Sequence, residues 1–187
     1  MRTFIAIGLT QEIRDYLADI QQELKKCRAD VKWVRPENIH LTLKFLGERD
    51  EKKIDKTKEA MEETAKAKTC FSVNLSSFGA FPKLDSPRII WVGIDRGEKE
   101  TKEIACDLEE KIARIGIPKE DKPFSSHITI ARVKSPLNRQ ALIQGLKTLP
   151  PCQNKEFLVT TITLYKSTLT PNGPVYAVLK EAALKTI

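Results

Sequence analysis

The stretch ENIHLTLKFLG, residues 37–47, has a close counterpart in PFSSHITIARV, residues 123–133. Each is a short apolar run with the composition of a β-strand, and each contains one histidine, His40 in the first and His127 in the second. These are the only two histidines in the 187 residues, and their separation of 87 residues is close to half the chain. The simplest interpretation is an internal duplication.

The predicted secondary structure supports this interpretation, because both halves of the chain begin with the order strand, helix, strand, helix, strand. Short apolar runs that favour strands alternate with longer amphipathic runs that favour helices. We predict strands at 3–9, 39–46, 71–82, 87–94, 125–133, 157–169 and 175–184, and helices at 11–24, 51–67, 98–115 and 136–149, the last with Pro136 in its first turn.

A repeat of this kind predicts one domain over residues 1–187 that is made of two lobes. The lobes are expected to be pseudo-symmetric βαβαβ-type units, roughly residues 1–84 and 85–187, and to face each other across a central cleft. The motif strand is the second of the three repeat strands in each half, so both histidine strands are expected to line that cleft.

The composition is that of a folded protein with an affinity for polyanions. The chain is 41% hydrophobic and 30% charged, which favours a globular protein over a disordered one. Its net charge of +7 favours a polyanionic partner, with nucleic acid first. No apolar run approaches the length of a membrane span, and the N-terminal run is too short for a signal peptide, so we expect a cytoplasmic protein without membrane association. We also expect a monomer.

Each histidine has a threonine two residues later, which makes the pairs His40/Thr42 and His127/Thr129. Side chains at i and i+2 of a strand point to the same face, so each pair presents an imidazole beside a hydroxyl. A single histidine on a strand is more often an ordinary polar residue than a catalyst. Two histidines with the same partner, in equivalent positions of a repeat, are poorly explained by chance.

A metal centre is the main structural alternative for two histidines, and the sequence does not support one. Zinc usually has three or four protein ligands, whereas the four cysteines are far apart and no Asp or Glu lies at strand spacing from either histidine. We therefore predict neither a metal nor another cofactor.

Acid–base catalysis on a phosphodiester fits all four motif groups. Histidine titrates near pH ~6.5, so one imidazole can accept a proton from water while the other, as imidazolium, gives one to a leaving oxygen. Two threonine hydroxyls can donate hydrogen bonds to the non-bridging phosphoryl oxygens, where charge grows in the transition state. The near-symmetry of the two motifs leaves open which histidine is the acid and which the base.

The paired motifs HLTL and HITI resemble those of the 2H phosphoesterase superfamily. The surrounding text, RTFIAIGL, WVRPENIHLTLKFLGE, PRIIWVGI and HITIARVK, is similar to its bacterial and archaeal RNA 2′,3′-cyclic phosphodiesterase branch, historically named 2′-5′ RNA ligase. The similarity covers nearly the whole chain. It implies a bilobal α+β fold with antiparallel-rich sheets around a central cleft, and a site without metal.

The resemblance also implies an activity and a role for each motif residue. Members of the branch open the 2′,3′-cyclic phosphate ends of RNA to 2′-phosphates, and some join tRNA halves through a 2′-5′ linkage in a reversible reaction. By resemblance, His40 would donate the proton to the leaving 3′ oxygen and His127 would accept a proton from water. Thr42 and Thr129 would hold the phosphate.

Other residues near the motifs are further candidates for the cleft. Arg132 matches an arginine that the family places after the second motif to contact phosphate, but strand alternation from His127 would point it to the other face unless a bulge or the strand end turns it. Lys44 is two residues after Thr42 and four after His40, so strand alternation places it on the same face, toward the cleft. Four aromatic residues are candidates for stacking a base or for packing in the core: Phe4, Trp33, Phe45 and Phe81.

Two other functions remain open from the sequence. A phosphodiesterase that acts on 2′-5′ linked RNA or on small cyclic nucleotides would use the same four groups. A module that binds RNA ends or nucleotides without turnover belongs to another class, and the intact histidines in both motifs argue against it.

Overall fold

A computed structural model of the protein describes residues 1–186. Within these residues it contains four α-helices, a 3₁₀ helix at Pro36–Asn38 and nine strands. The helices are α1 (Gln11–Lys25), α2 (Glu51–Ala67), α3 (Glu98–Arg114) and α4 (Arg139–Thr148). The strands are β1 (Arg2–Gly8), β2 (Val31–Trp33), β3 (His40–Glu48), β4 (Phe71–Lys83), β5 (Ser86–Ile94), β6 (His127–Val133), β7 (Glu156–Val159), β8 (Thr161–Thr170) and β9 (Gly173–Ala183).

The strands form one sheet in the order β7-β4-β5-β6-β3-β1-β8-β9, and β2 pairs with β6 beside this path. Every pairing between these strands is antiparallel. The predicted α+β fold with antiparallel strands is therefore confirmed. Among residues 1–186, no helix combines the length and the apolar character that crossing a bilayer requires.

The core lies between the helices and one face of the sheet. The apolar positions that predicted α1 from helical spacing, Ile13, Leu17 and Leu24, are buried. Gln21 on the same helix is also buried, and its side-chain amide donates to the backbone oxygens of Val34 and Ile130, at 2.7 and 2.9 Å. Because the core covers this face of the sheet, β3 and β6 each have one face in the core, and only the opposite face can line a cleft.

The two sequence halves exchange strands within the sheet, which corrects the expectation of two sequential lobes. β4 belongs to the first half but pairs with β5 and β7, and β8 belongs to the second half but pairs with β1. The expected boundary at residues 84 and 85 falls in the two-residue turn between β4 and β5, and such a turn makes its strands antiparallel neighbours. Each side of the sheet therefore contains strands from both halves.

Two further local predictions were wrong. The helix expected at 136–149 begins at Arg139, because Asn138 adopts a left-handed conformation (φ 51°) immediately before it, and Pro136 lies outside the helix. The strand expected at 157–169 is two strands, separated at Thr160. β7 pairs with β4 and β8 with β1, near opposite ends of the sheet, so the chain must turn there although its apolar pattern continues.

Candidate active site

The two motifs meet where β3 and β6 pair. Leu41 is paired with Ile128, and both side chains are fully buried on the helix side. Residues that flank a cross-strand pair point to the opposite face, so both histidines and both threonines share the other face of the sheet. Continuing the antiparallel register places His40 beside Thr129 and Thr42 beside His127. The histidines are then diagonal neighbours, and such neighbours are roughly 7–8 Å apart.

Both imidazoles make the same hydrogen bond to the backbone. His40 Nδ1 lies 2.7 Å from the carbonyl oxygen of Asn38, and His127 Nδ1 lies 2.8 Å from that of Ser125. A carbonyl oxygen only accepts, so Nδ1 carries the hydrogen in each ring. The hydrogen bond holds both rings in one tautomer and leaves Nε2 of each free to exchange a proton with a ligand.

The surroundings of His40 are aromatic and tightly packed. Gly8 is its cross-strand partner on β1, and a residue without a side chain leaves room there for the imidazole. The ring stacks on Phe4 with 4.7 Å between centroids and meets the edge of Tyr176 at 5.6 Å. This burial lowers the pKa of His40 below its ordinary value, although the hydrogen bond to the Asn38 carbonyl opposes the shift.

His127 repeats this pattern with different neighbours. Its cross-strand partner on β5 is again a glycine, Gly93. The edges of Phe81 and Trp91 contact it, with centroids at 5.0 and 6.4 Å. Burial also lowers the pKa of His127, and the positive charge of Arg132 lowers it further, against the opposing effect of the Ser125 carbonyl. Both histidines therefore favour the neutral form in the free protein.

A bulge in β3 changes which residues follow the first motif on the cleft face. Thr42 pairs with Ala6, whereas Lys44 pairs with the adjacent residue Ile5, so Leu43 is the extra residue. After the bulge Lys44 faces the core, where it is 1% exposed, and Phe45 faces the cleft with 57% exposed. The prediction that Lys44 lies on the cleft face is therefore wrong.

A bulge at the equivalent position of β6 brings Arg132 to the cleft. Thr129 pairs with Trp91 and Ala131 with the adjacent residue Ile90, which makes Ile130 the extra residue. Ala131 is fully buried and Arg132 is exposed on the face of the motif. Of the two features that could turn Arg132 to this face, a bulge or the strand end, the structure has the bulge. Both motifs therefore present side chains at positions i, i+2 and i+5.

A cavity of about 330 Å³ opens over three of the four motif residues. His40, Thr42 and Thr129 lie along it together with Arg132, whereas His127 does not line it. The cavity therefore extends to the His40 side of the motif residues. Its remaining walls contain no Asp or Glu. Their cationic and aromatic residues include Arg2, Lys32, Trp33, Arg35, Phe45 and Tyr176.

Comparison with protein-family models identifies the family. The model of the LigT-like phosphoesterases matches the chain twice, over residues 7–91 and 92–176. The chain belongs to this family. The two adjacent matches also agree with the internal duplication that the histidine spacing indicated, and the resemblance to the 2H phosphoesterases is confirmed.

Individual LigT-like phosphoesterases resemble the chain along nearly all of its length. A curated protein of Thermotoga maritima, named RNA 2′,3′-cyclic phosphodiesterase, is 38% identical over 182 residues, which are 97% of this chain and 94% of that protein. A crystal structure from Thermus thermophilus matches with a TM-score of 0.85 and 32% identity, and covers 100% of this chain and 99% of its own. The crystal structure of Escherichia coli LigT complexed with 3′-AMP matches with a TM-score of 0.78 and 28% identity, over 98% and 96%.

No metal cluster accompanies the site of this LigT-like phosphoesterase in the described part of the chain. Residues 1–186 contain no group of three or more His, Cys, Asp and Glu residues placed to hold a metal ion. That the reaction needs no metal stays a prediction, because it requires the two imidazoles to act as the acid and the base.

Several residues beside the motifs were not found from the sequence. Trp91 reaches Thr129 and His127 because β5 pairs with β6, and Tyr176 reaches His40 from β9, at the far edge of the sheet. Lys32 reaches the cavity from the short strand β2. Their own sequence neighbourhoods contain no signal of these contacts, because the contacts depend on long-range strand pairing.

Proposed function

We propose that this protein is an RNA 2′,3′-cyclic phosphodiesterase, which opens the cyclic phosphate at an RNA end to a 2′-phosphate by acid–base catalysis without a metal. The observation that carries the proposal is the convergence of two imidazoles, each with Nδ1 hydrogen-bonded to a backbone carbonyl, and two hydroxyls on one face. The name of the Thermotoga maritima relative supports the choice of substrate.

The phosphoryl group is placed between the two motifs. Thr42 and Thr129 donate hydrogen bonds to its non-bridging oxygens, which stabilises charge that grows in the transition state. Arg132 lies on the same face and supplies a positive charge to these oxygens. The cavity wall adds further cations, which favour an anionic substrate.

The position of the cavity supports His40 as the acid and His127 as the base. In an in-line displacement, the attacking water and the leaving oxygen lie on opposite sides of phosphorus. The nucleoside carries the leaving 3′ oxygen and needs space, and that space is on the His40 side. Water then attacks from the His127 side.

The proposed step moves two protons and exchanges one bond. His127 Nε2 accepts a proton from water as the water oxygen bonds to phosphorus, the bond from phosphorus to the 3′ oxygen breaks, and the His40 imidazolium gives that oxygen its proton. The product has a 2′-phosphate and a 3′-hydroxyl. Exchange of one proton with solvent at each histidine then restores the starting state.

Ligation would need only a different nucleophile. If the 5′-hydroxyl of a second RNA replaced water, the same step would form a 2′-5′ linkage. Ligase activity, and tRNA halves as partners, stay predictions.

Alanine variants of the motif residues test the proposal. We expect His40→Ala and His127→Ala each to lower kcat/KM for an RNA oligonucleotide with a 2′,3′-cyclic end by at least ~100-fold, the scale of one acid–base group. The double variant should lose far less than the product of the two effects, because both groups act on one transition state. Thr42→Ala and Thr129→Ala each remove one hydrogen bond to a charged oxygen, and we expect losses of ~10- to 100-fold.

These assays are run in excess EDTA, with circular dichroism to verify folding. Identification of the product end as a 2′-phosphate or a 3′-phosphate checks which bond breaks. A folded His→Ala variant with parental kcat/KM would contradict the two-histidine mechanism, and turnover that returns only with an added divalent ion would contradict its independence from metal. Tight binding of the RNA end with no turnover would identify a binding module instead.

A further inference from the structure

The cavity has more positive charge than one reacting phosphoryl group requires. Lys32 on β2 is the direct cross-strand partner of Arg132 on β6, and both side chains are exposed. Arg2, on β1, lines the same cavity. Its charge and that of Arg132 both oppose the rise in the pKa of Tyr176 that burial causes. Three cations from three strands thus converge beside the motif residues.

These three cations have no counter-charge within the described chain. Among residues 1–186, no carboxylate forms a salt bridge with Arg2, Lys32 or Arg132. Like charges on directly opposed strand positions destabilise a sheet, so the pairing of Lys32 with Arg132 costs stability. Arg35 differs, because it donates to the backbone oxygen of Asn172 at 2.8 Å and has Glu37 at 3.9 Å. An anion from outside the chain is the natural partner of the first three.

The chemistry of an RNA end shows which anion is left for Arg2 and Lys32. Arg132 follows the second motif, and in the proposed function its positive charge stabilises the reacting phosphoryl group. The ribose lies on the His40 side, and its 5′ carbon is at the end of the sugar away from the 2′ and 3′ oxygens. The phosphate on that carbon therefore extends from the reacting group into the cavity, whose wall includes Arg2 and Lys32.

Two aromatic residues of the cavity wall support this orientation. Phe45 is 57% exposed, although it is a large apolar side chain, and Trp33 is partly exposed next to Lys32. Aromatic side chains beside cations are the usual arrangement for single-stranded nucleic acid, because bases stack on the rings while the phosphates contact the charges.

We infer that Arg2 and Lys32 form a subsite for the phosphate on the 5′ side of the terminal nucleotide, which in an RNA strand is the first internucleotide phosphate. The inference rests on the proposed function, because it takes the reacting phosphoryl group to lie at the motif residues. With this subsite, the protein should prefer the ends of RNA strands to free nucleoside 2′,3′-cyclic phosphates, which lack that phosphate.

Binding of two matched nucleotides tests the subsite without turnover. Adenosine 3′,5′-bisphosphate differs from adenosine 3′-monophosphate only in the 5′-phosphate. We expect calorimetry at low ionic strength to show that the bisphosphate binds at least ~10-fold more tightly, the scale of a charge-assisted hydrogen bond. In the variant Arg2→Gln/Lys32→Gln this preference should fall to ~2-fold or less.

The matched control is Lys99→Gln/Arg114→Gln, which removes two exposed positive charges from α3, a helix that packs against the core side of the sheet. It should retain the parental preference. Equal affinities of the parent for the two nucleotides, or a preference that survives in Arg2→Gln/Lys32→Gln, would overturn the subsite.

A turnover comparison separates this inference from the proposed function. The substrates are adenosine 2′,3′-cyclic phosphate with and without a 5′-phosphate, and the 5′-phosphate should raise kcat/KM of the parent by ~10-fold. If the parent opens neither substrate nor an RNA end, the proposed hydrolysis is wrong, and the binding preference still decides for or against the subsite.

Discussion

His40 and His127 have the same backbone hydrogen bond but different neighbours. His40 stacks on Phe4 beside Tyr176, whereas His127 meets only ring edges and lies near the charge of Arg132. Burial lowers the pKa of both imidazoles. His40, the proposed acid, therefore has to be protonated although its burial favours the neutral imidazole. The negative charge of a bound phosphate favours the imidazolium form of His40.

This arrangement predicts the pH dependence of the reaction. In the free protein, activity rises with pH as His127 loses its proton and falls as His40 loses its own, and both pKa values lie below the ordinary value near 6.5. We expect the bell-shaped profile of kcat/KM to have its maximum below that pH. The bound phosphate raises the pKa of His40, so the alkaline limb of kcat should lie at higher pH than that of kcat/KM.

Steady-state kinetics across the pH range, with buffers of constant ionic strength, measure both profiles. An optimum of kcat/KM above pH ~7 would contradict the assignment of these two groups, because depressed pKa values cannot produce it.

At the scale of elements, a small network attaches the segment before β6 to β3. The Lys44 ammonium donates to Glu109 Oε2 at 2.6 Å and to the Pro118 carbonyl at 3.3 Å. The backbone N–H of Glu120 donates to Glu109 Oε1 at 2.6 Å, and its carboxylate accepts from the N–H of Phe45 at 3.1 Å. The approach to His127 is thereby fastened beside the bulge that exposes Phe45.

The two members of the buried ion pair should differ in their effects on stability. The Lys44 side chain is 0% exposed and that of Glu109 is 24% exposed. Glu109→Gln leaves a buried ammonium without its counter-charge, and we expect it to lower the free energy of unfolding by about 3–5 kcal/mol. Lys44→Met leaves a carboxylate that can turn to water, so its cost should be smaller, about 1–2 kcal/mol.

Urea unfolding with an unchanged m-value measures both effects. The control pair is Lys147 and Asp85, whose side chains are 45% and 72% exposed, and Lys147→Met should change stability by less than ~1 kcal/mol. If Lys44→Met destabilises as much as Glu109→Gln, the unequal exposure of the pair is not what sets the cost.

The bulges mark the limit of what the sequence could predict about the site. The i, i+2 spacing placed each histidine and threonine on one face, because strict alternation holds up to Thr42 and Thr129. An extra residue directly after each motif threonine then reversed the alternation, so Lys44 was assigned to the wrong face. Arg132 reached the cleft only because its strand bulges as well. Nothing in the local composition shows that a strand bulges at Leu43 or Ile130.

At the scale of the whole molecule, element order was predictable and strand partners were not. The helix at 51–67 was predicted with its observed bounds, because its caps and periodicity are local. The exchange of β4, β8 and β9 between the two sides of the sheet depends on pairings across the whole chain, and apolar runs do not specify their partners. Lys32 on β2 and Tyr176 on β9 were missed for the same reason.

The strand exchange predicts how the two halves behave as separate polypeptides. Residues 1–84 retain only the β1–β3 pairing, and residues 85–187 retain β5–β6 and β8–β9 without the strands that join them. We expect each fragment alone to lack a stable fold, and a mixture to assemble with recovery of circular dichroism and phosphodiesterase activity. A fragment that folds and unfolds cooperatively by itself would contradict this.

The same exchange bears on how such a protein could have arisen. An ancestral chain of half the length would have had an incomplete sheet and half of a site, and two identical copies that traded their last strands would have completed both. Its centre would have held two equal histidines on a twofold axis, with no distinction between acid and base. Joining the copies end to end would have allowed the two positions to acquire the different neighbours that they have now, Ala6 opposite Thr42 and Trp91 opposite Thr129. On the proposed mechanism, only a fused chain of this kind could give one of the twin histidines the role of acid and the other that of base.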